Sequence, residues 1–297
     1  MKVLQNLLAH ICLSTLLALS SASQAAPAGW APLLSPPELN AILHQTTDVR
    51  LIHITGDFSA GHIPGAAHAA YAEFRGPQNN PGSLPSIEAL TTLLQRLGID
   101  ADTPVVIVHE GSSAAEMGAA TRVYWTLKSL GVESLAVLNG GFNAWQAQLL
   151  PVNTDAANIP ASDFEPRWND QWQISADEIQ NKLGSEDMNL VDARPPAFFN
   201  GSQAAASRAG TIPGASNLSF TSLFDNNHMR DRAQLSEIMA AASKPEAAMT
   251  VSFCNSGQLA SINWFAMSEL EGKENVKLYA ESMIDWAQSD RPMANEP

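Results

Sequence analysis

Hydrophobic and polar positions along this chain run through the same order twice. Each run opens on a serine followed three residues later by a glutamate: "SPPELNAIL" from Ser35 with Glu38, and "SADEIQNKL" from Ser175 with Glu178. At that spacing the two side chains satisfy first-turn N–H groups, so each site predicts a helix start. Short unbroken apolar runs follow, "VRLIHI" and "MNLVDA", which predict buried strands. Next come "GHIPGAAHA" at 61–69 and "AGTIPGASN" at 209–217, sharing Ile-Pro-Gly-Ala. Leu90, Leu93, Leu94 and Leu97 in the first run, and Leu235, Ile238 and Met239 in the second, carry helical spacing. A second buried strand is predicted at "PVVIVHE" and at "MTVSFCN", each leading into an amphipathic helix. The apolar positions are Val123, Leu127 and Leu130 in one and Ile262, Phe265, Ala266 and Leu270 in the other. Both runs close on a strand, a turn and a tryptophan-bearing helix, "LAVLNGGFNAW" and "VKLYAESMIDW".

Strands alternating with helices predict parallel sheets covered on both faces. The expected fold class is therefore α/β, with two tandem domains that are each a parallel sheet flanked by helices. The boundaries read as 31–148 for the first domain and 171–297 for the second. The segment between, 149–170, is rich in Pro, Asn and Ala and reads as a linker.

The N-terminus changes the picture of where the chain works. Lys2 precedes an apolar stretch that exits through the small residues "SASQA", the pattern of a signal peptide over 1–25 with cleavage after Ala25. A periplasmic or secreted protein is expected, with no membrane attachment after cleavage. Cys12 is lost with the leader, leaving Cys254 as the one cysteine of the mature chain. An odd cysteine in an exported protein signals a reactive thiol or an intermolecular partner, and a buried inert thiol is equally compatible with composition alone. Acidic residues outnumber basic ones 30 to 16, which argues against nucleic acid or anionic membrane as a partner.

"GHIPGA", "GTIPGA", "LNGGFNAW" and "FCNSGQLAS" together resemble the signatures of the rhodanese family of sulfurtransferases, in its tandem arrangement and across both halves. The resemblance implies that only the second domain is catalytic. The first has Glu110 opposite Cys254, and the resemblance implies that it is structural and packs against the second to wall the cleft. It also implies a small anionic sulfur donor, a thiol or cyanide acceptor, and no metal or organic cofactor. Donor identity is divided, since thiosulfate-type loops carry Arg or Lys after the cysteine and mercaptopyruvate-type loops read Cys-Gly-Ser-Gly. "CNSGQLA" has neither, and Phe198 stands where an arginine is expected in "DARPPAFFNG".

The loop's own chemistry points the same way. A cysteine just past a buried parallel strand lies at the sheet's carboxyl edge, where α/β proteins place ligand crevices. The helix expected to begin near Leu259–Ser261 turns its unpaired N–H groups toward the thiol. Gly257 lets the backbone form an anion nest, surroundings that favour a thiolate. Expected substrate contacts are Asn255, Ser256, Gly257, Gln258 and Leu259 around the catalytic Cys254, with Arg208, just before the second Ile-Pro-Gly-Ala, as the anion contact. Arg194 is expected to pair with Asp192 or another local acid, and the "NNHMRDR" stretch with His228, Arg230 and Arg232 to be a solvated loop. A cysteine phosphatase needs an arginine six residues after the cysteine, where this chain has Ala260. The alternative outside enzymology is a persulfide carrier that serves a protein partner.

Overall fold

A computed structural model describes residues 26–242 and 244–296. The expected signal peptide lies outside the described residues.

Both capping boxes form, and each starts a helix where the chain enters a domain. Glu38 accepts from the Ser35 amide at 2.8 Å ahead of α1 (Pro36–Leu43), and Glu178 accepts from the Ser175 amide at 2.9 Å ahead of α5 (Ala176–Asn181). In the first domain the strands are β1 (Leu33–Leu34), β2 (Arg50–His53), β3 (Ala67–His68), β4 (Val105–Val108) and β5 (Leu135–Leu138). They form one parallel sheet in the order β1-β5-β4-β2-β3. The helices α2 (Ile87–Arg96), α3 (Ala114–Ser129) and α4 (Gly141–Ala147) complete its layers.

In the second domain β6 (Met188–Asp192), β7 (Ser216–Asn217), β10 (Met249–Phe253) and β11 (Val276–Leu278) lie parallel in the order β11-β10-β6-β7. A hairpin of β8 (Phe224–Asp225) and β9 (His228–Met229) stands apart from that sheet. The helices are α6 (Pro196–Phe199), α7 (Arg232–Ala241), α8 (Gln258–Phe265) and α9 (Ser282–Gln288). Where β1 flanks the first sheet, the second has a single parallel bridge, Gln173 to Leu278. The closing tryptophans are equivalent to the last detail: Trp145 Nε1 donates to the Pro151 carbonyl at 2.8 Å, and Trp286 Nε1 to the Pro292 carbonyl at 2.9 Å.

Two findings depart from the sequence reading. The helices α3 and α8 are not half-exposed, because they pack against each other across the domain boundary. The polar positions Thr121, Arg122, Thr126 and Ser129 of α3 are buried along with its apolar ones. Thr121 and Ser261 share a 2.8 Å hydroxyl–hydroxyl contact, and a Cβ on Gly118 would lie 2.7 Å from the Gln258 carbonyl oxygen. Tyr124 sits edge-on to Phe265 with centroids 5.0 Å apart, and Lys128 pairs with Glu269 at 2.8 Å. One apolar core therefore runs through both domains, with a smaller core on the far side of each sheet.

The "NNHMRDR" stretch is likewise no free loop. It supplies the turn and second strand of the β8–β9 hairpin and the first residue of α7, and Asn139 of the first domain clamps it by accepting from the Met229 amide at 2.8 Å. The linker is tied down as well: Asn153 exchanges backbone hydrogen bonds with His62, and Ser162 Oγ donates to the Ile99 carbonyl. His62, held between the Phe58 and Asp155 carbonyls, serves that tether.

Candidate active site

The site grows from the end of β10. That strand runs between β6 and β11, with Phe253 in register with Asp192, so Cys254 leaves the sheet beside the end of β6. The Cys254 amide donates to Ser282 Oγ at 3.1 Å, and Ser282 Oγ in turn donates to the Tyr279 carbonyl at 2.7 Å. The carbonyls of Cys254 and Asn255 accept from the Met283 and Ile284 amides, pinning the loop to the start of α9. Cys254 as a whole is only 1% exposed.

After Cys254 the chain turns at Gly257, whose φ of +76° is the left-handed region glycine tolerates. A Cβ there would collide with the Ala280 carbonyl oxygen and lie 2.5 Å from Arg122 Nη1. The helix α8 starts immediately, at Gln258, slightly earlier than its pattern suggests. The amides of Asn255, Ser256, Gly257, Gln258 and Leu259 have no acceptor among the described residues. Such a run of free N–H groups at a helix start is suited to anionic charge.

The side chains expected to contact substrate divide into three groups. Asn255 and Ser256 receive guanidinium hydrogen bonds: Arg194 Nη1 donates to Asn255 Oδ1 at 3.4 Å, and Arg75 Nη2 donates to Ser256 Oγ at 3.1 Å. Gln258 faces the first domain, donating to the Ala115 carbonyl at 3.2 Å, and Leu259 packs on the shared core. Arg208 is placed elsewhere. Its guanidinium binds Glu296 and the carbonyls of Ser289 and Arg291, which commits it to the C-terminal tail instead of the cysteine loop.

Arg194 pairs with Asp192, as its position predicts. The contact is 2.6 Å from Nη2 to Oδ2, both groups are buried, and Nε adds bonds to both carboxylate oxygens. Thr211 Oγ1 also donates to Asp192 at 2.8 Å, and Arg194 Nη2 donates to the Gly210 carbonyl at 2.7 Å. This knot fixes the end of β6 beside the loop.

Sequence reasoning missed the residues that reach the loop from the first domain. Tyr71 and Arg75 lie in and just after a single helical turn (Tyr71–Phe74), and Arg75 Nη1 donates to the Tyr71 hydroxyl at 2.8 Å. Arg122 of α3 is fully buried and donates from Nη2 to the Gly82 carbonyl at 2.8 Å. Burial pulls its pKa down to about 10, the neighbouring Arg75 acting in the same direction, and the group stays cationic at neutral pH. Arg122 lies inside a helix whose pattern was read from its apolar positions, so nothing in that pattern marked it out.

The first domain has an equivalent edge without a thiol. The structure places His109, not Glu110 as the sequence suggested, at the position of Cys254: Val108 and Phe253 end the matching strands, and the His109 carbonyl accepts from the Phe142 amide as the Cys254 carbonyl accepts from the Met283 amide. Glu110, one residue further on, is 3.8 Å from His53 Nε2, and burial is the main cause that raises its pKa. His53 and His109 are buried there, and desolvation pushes both imidazoles down to about 4. They are neutral at ordinary pH.

Comparison with known proteins agrees with this layout. The model of the rhodanese-like domain matches twice, over residues 35–148 and 175–289. A putative thiosulfate sulfurtransferase of Synechococcus elongatus is 27% identical over 94% of this chain and 88% of its own. The 3-mercaptopyruvate sulfurtransferase of Escherichia coli is 27% identical over 81% of this chain and 86% of its own. Among solved structures, the anaerobic ergothioneine biosynthesis enzyme of Chlorobium limicola has a TM-score of 0.78 at 21% identity, covering 88% of this chain and 69% of that one. The SseA 3-mercaptopyruvate sulfotransferase of Escherichia coli has a TM-score of 0.74 at 23% identity, covering 85% and 98%. With each half matched by the domain model and each half folded as its own parallel sheet, the chain belongs to the rhodanese family as a tandem of two rhodanese-like domains.

Proposed function

We propose that this protein is a thiosulfate sulfurtransferase that carries sulfur as a persulfide on Cys254. The observation that carries the reading is the placement of Cys254 at the carboxyl end of a central strand, ahead of a loop whose amides are free for anionic charge. The Cys254 thiolate attacks the outer sulfur of thiosulfate. The sulfur–sulfur bond of the donor breaks, its electron pair leaves with sulfite, and a new sulfur–sulfur bond forms on Cys254. The acceptor, cyanide or a thiolate, then attacks the terminal persulfide sulfur, and the Cys254 thiolate leaves. Charge and atoms balance in both steps without an external oxidant.

Thiosulfate is the favoured donor because several relatives carry that name, among them those of Corynebacterium glutamicum and Pseudomonas aeruginosa. A 3-mercaptopyruvate donor is the second reading, prompted by the Escherichia coli relative. In that case the thiol proton of the donor passes to its carbon and pyruvate leaves. The burial of Cys254 supports small donors and acceptors over delivery to a protein partner. Export is part of the same proposal, and N-terminal sequencing of the periplasmic fraction tests it by the expected start at Ala26.

The test is sulfite release from thiosulfate in the presence of cyanide, run beside pyruvate release from mercaptopyruvate. Wild-type protein is expected to release sulfite faster than pyruvate, with Cys254→Ser at background. Equal rates for wild type and Cys254→Ser contradict the assignment, and faster pyruvate release selects the second donor.

A further inference from the structure

Arg122 presents a problem in electrostatics. It is 0% exposed, and its Nε and Nη1 have no hydrogen-bond acceptor. Among the described residues no carboxylate oxygen lies within 4.0 Å of it or of Arg75. The carboxylate that does interact with it, Glu281, is farther off, and burial raises that group's own pKa. The Trp125 ring lies 4.7 Å beneath the guanidinium, a contact worth far less than a counter-ion. A buried cation without an anion is strongly destabilising.

The geometry shows what the charge is for. Nη1 of Arg122 abuts Gly257 closely enough that any Cβ there would lie 2.5 Å away. Arg75, half-buried and also without a carboxylate, donates to Ser256 in the same loop at 3.1 Å. Both arginines belong to the domain that has no cysteine. Tyr71, Arg75, Arg122 and Cys254 are near enough to perturb one another electrostatically. In a chain of net charge −14, two guanidinium groups with no carboxylate in contact therefore converge on the one loop that carries the thiol.

We propose that Arg75 and Arg122, with the Ser256 hydroxyl, form the oxyanion subsite that holds the charged end of the sulfur donor beside Cys254. The ligand class is a small oxyanion, the sulfonate of thiosulfate or the carboxylate of mercaptopyruvate. Arg75 makes the direct contact, exchanging part of its bond to Ser256 for a bond to the ligand. Arg122 acts as a buried positioning charge behind Gly257. The first domain thus supplies positive charge that the neutral Asn255 and Gln258 do not, and the tail-bound Arg208 has no part in it. The inference rests on Cys254 being the sulfur-carrying residue, but binding can be read without turnover.

The test uses the full chain as Cys254→Ser, with calorimetric titration of thiosulfate, of sulfite and of mercaptopyruvate. Binding of an oxyanion is expected, weakened by about 10-fold to 100-fold in Arg75→Gln, the loss expected for one charge-assisted hydrogen bond. Arg75→Lys is expected to recover part of it, and added salt to weaken the parent more than Arg75→Gln. Arg122→Gln is expected to behave like Arg75→Gln. Should it fail to fold, the half-buried Arg75 pair still decides the matter. In the wild-type background, Arg75→Gln is expected to raise KM for the donor and leave KM for cyanide unchanged, a split that a structural role does not produce. Unchanged binding in Arg75→Gln, or no oxyanion binding by Cys254→Ser, overturns the subsite. Loss of turnover with every donor while Cys254→Ser still binds oxyanion overturns the proposed reaction and leaves the subsite standing.

Discussion

Asp192 anchors the end of β6 beside Cys254. It accepts from Arg194 and Thr211 in a fully buried setting at the end of β6. Replacing it with Ala leaves the Arg194 guanidinium buried without its anion. Breaking one side of a buried pair costs about 3–5 kcal/mol, so Asp192→Ala is expected to lower stability by that amount in urea denaturation. A loss under about 1 kcal/mol would show that the pair is not holding the loop. Ser282 allows a finer test, because its φ of +57° is unusual for a residue with a side chain and its hydroxyl accepts from the Cys254 amide. Ser282→Ala removes the acceptor and keeps the strain, whereas Ser282→Gly removes both. Both variants are expected to be less stable than wild type, with Ala below Gly. Urea midpoints in the reverse order would contradict the strain argument.

Helices and strands carry two further predictions. Gly118 sits where α3 crosses α8, and a Cβ there would lie 2.7 Å from a backbone oxygen that cannot rotate away. An ordinary helical Gly→Ala change gains up to about 1 kcal/mol from propensity. Here the crossing must open, and Gly118→Ala is expected to lose about 1–3 kcal/mol, the usual cost of overpacking. A higher melting temperature for Gly118→Ala would refute the close crossing. The strand ends of the first domain set a pH dependence. His53 and His109 titrate at about 4 when folded, chiefly because burial disfavours the cation, against 6.5 when unfolded. Between those values the unfolded chain binds more protons, so stability is full above 6.5 and falls as pH drops toward 4. Glu110, with its raised pKa, partly offsets the fall. His109→Gln is expected to flatten the slope of stability between about pH 7 and about pH 5, measured by urea midpoints. An unchanged slope would mean that His109 is not buried neutral.

At this scale the sequence was a good guide wherever the cause is local. Capping boxes act within three residues, and both formed. Strand runs such as "MTVSF" need only their own apolarity to be recognised, and β10 lies where its run predicts. The burial of α3 was not legible, because its polar face looks solvated until a second domain covers it. Thr121 meets Ser261 from 140 residues away, a contact no window along the chain contains.

The whole molecule is a two-domain unit in which the cysteine-free half is built into the site of the other. One apolar core crosses the boundary, the β8–β9 hairpin is clamped by Asn139, and Arg75 reaches Ser256 across 181 residues of sequence. The cysteine loop was legible, since a thiol after a buried strand is a local pattern. The arginines around it were not. Arg208 stood next to a signature yet binds Glu296, which is 88 residues further on. Arg122 sits inside an amphipathic pattern and gave no signal. Charge placement at a domain boundary is decided by docking, and a linear pattern does not encode it.

The central claim, that Cys254 receives sulfur from a small anionic donor, is tested most directly by intact-protein mass spectrometry after incubation with thiosulfate and removal of sulfite. Wild-type protein is expected to gain the mass of one sulfur atom and to lose it when cyanide is added, while Cys254→Ser gains nothing. A wild-type protein that stays unmodified with both thiosulfate and mercaptopyruvate, or a Cys254→Ser protein that is modified to the same extent, would contradict the account.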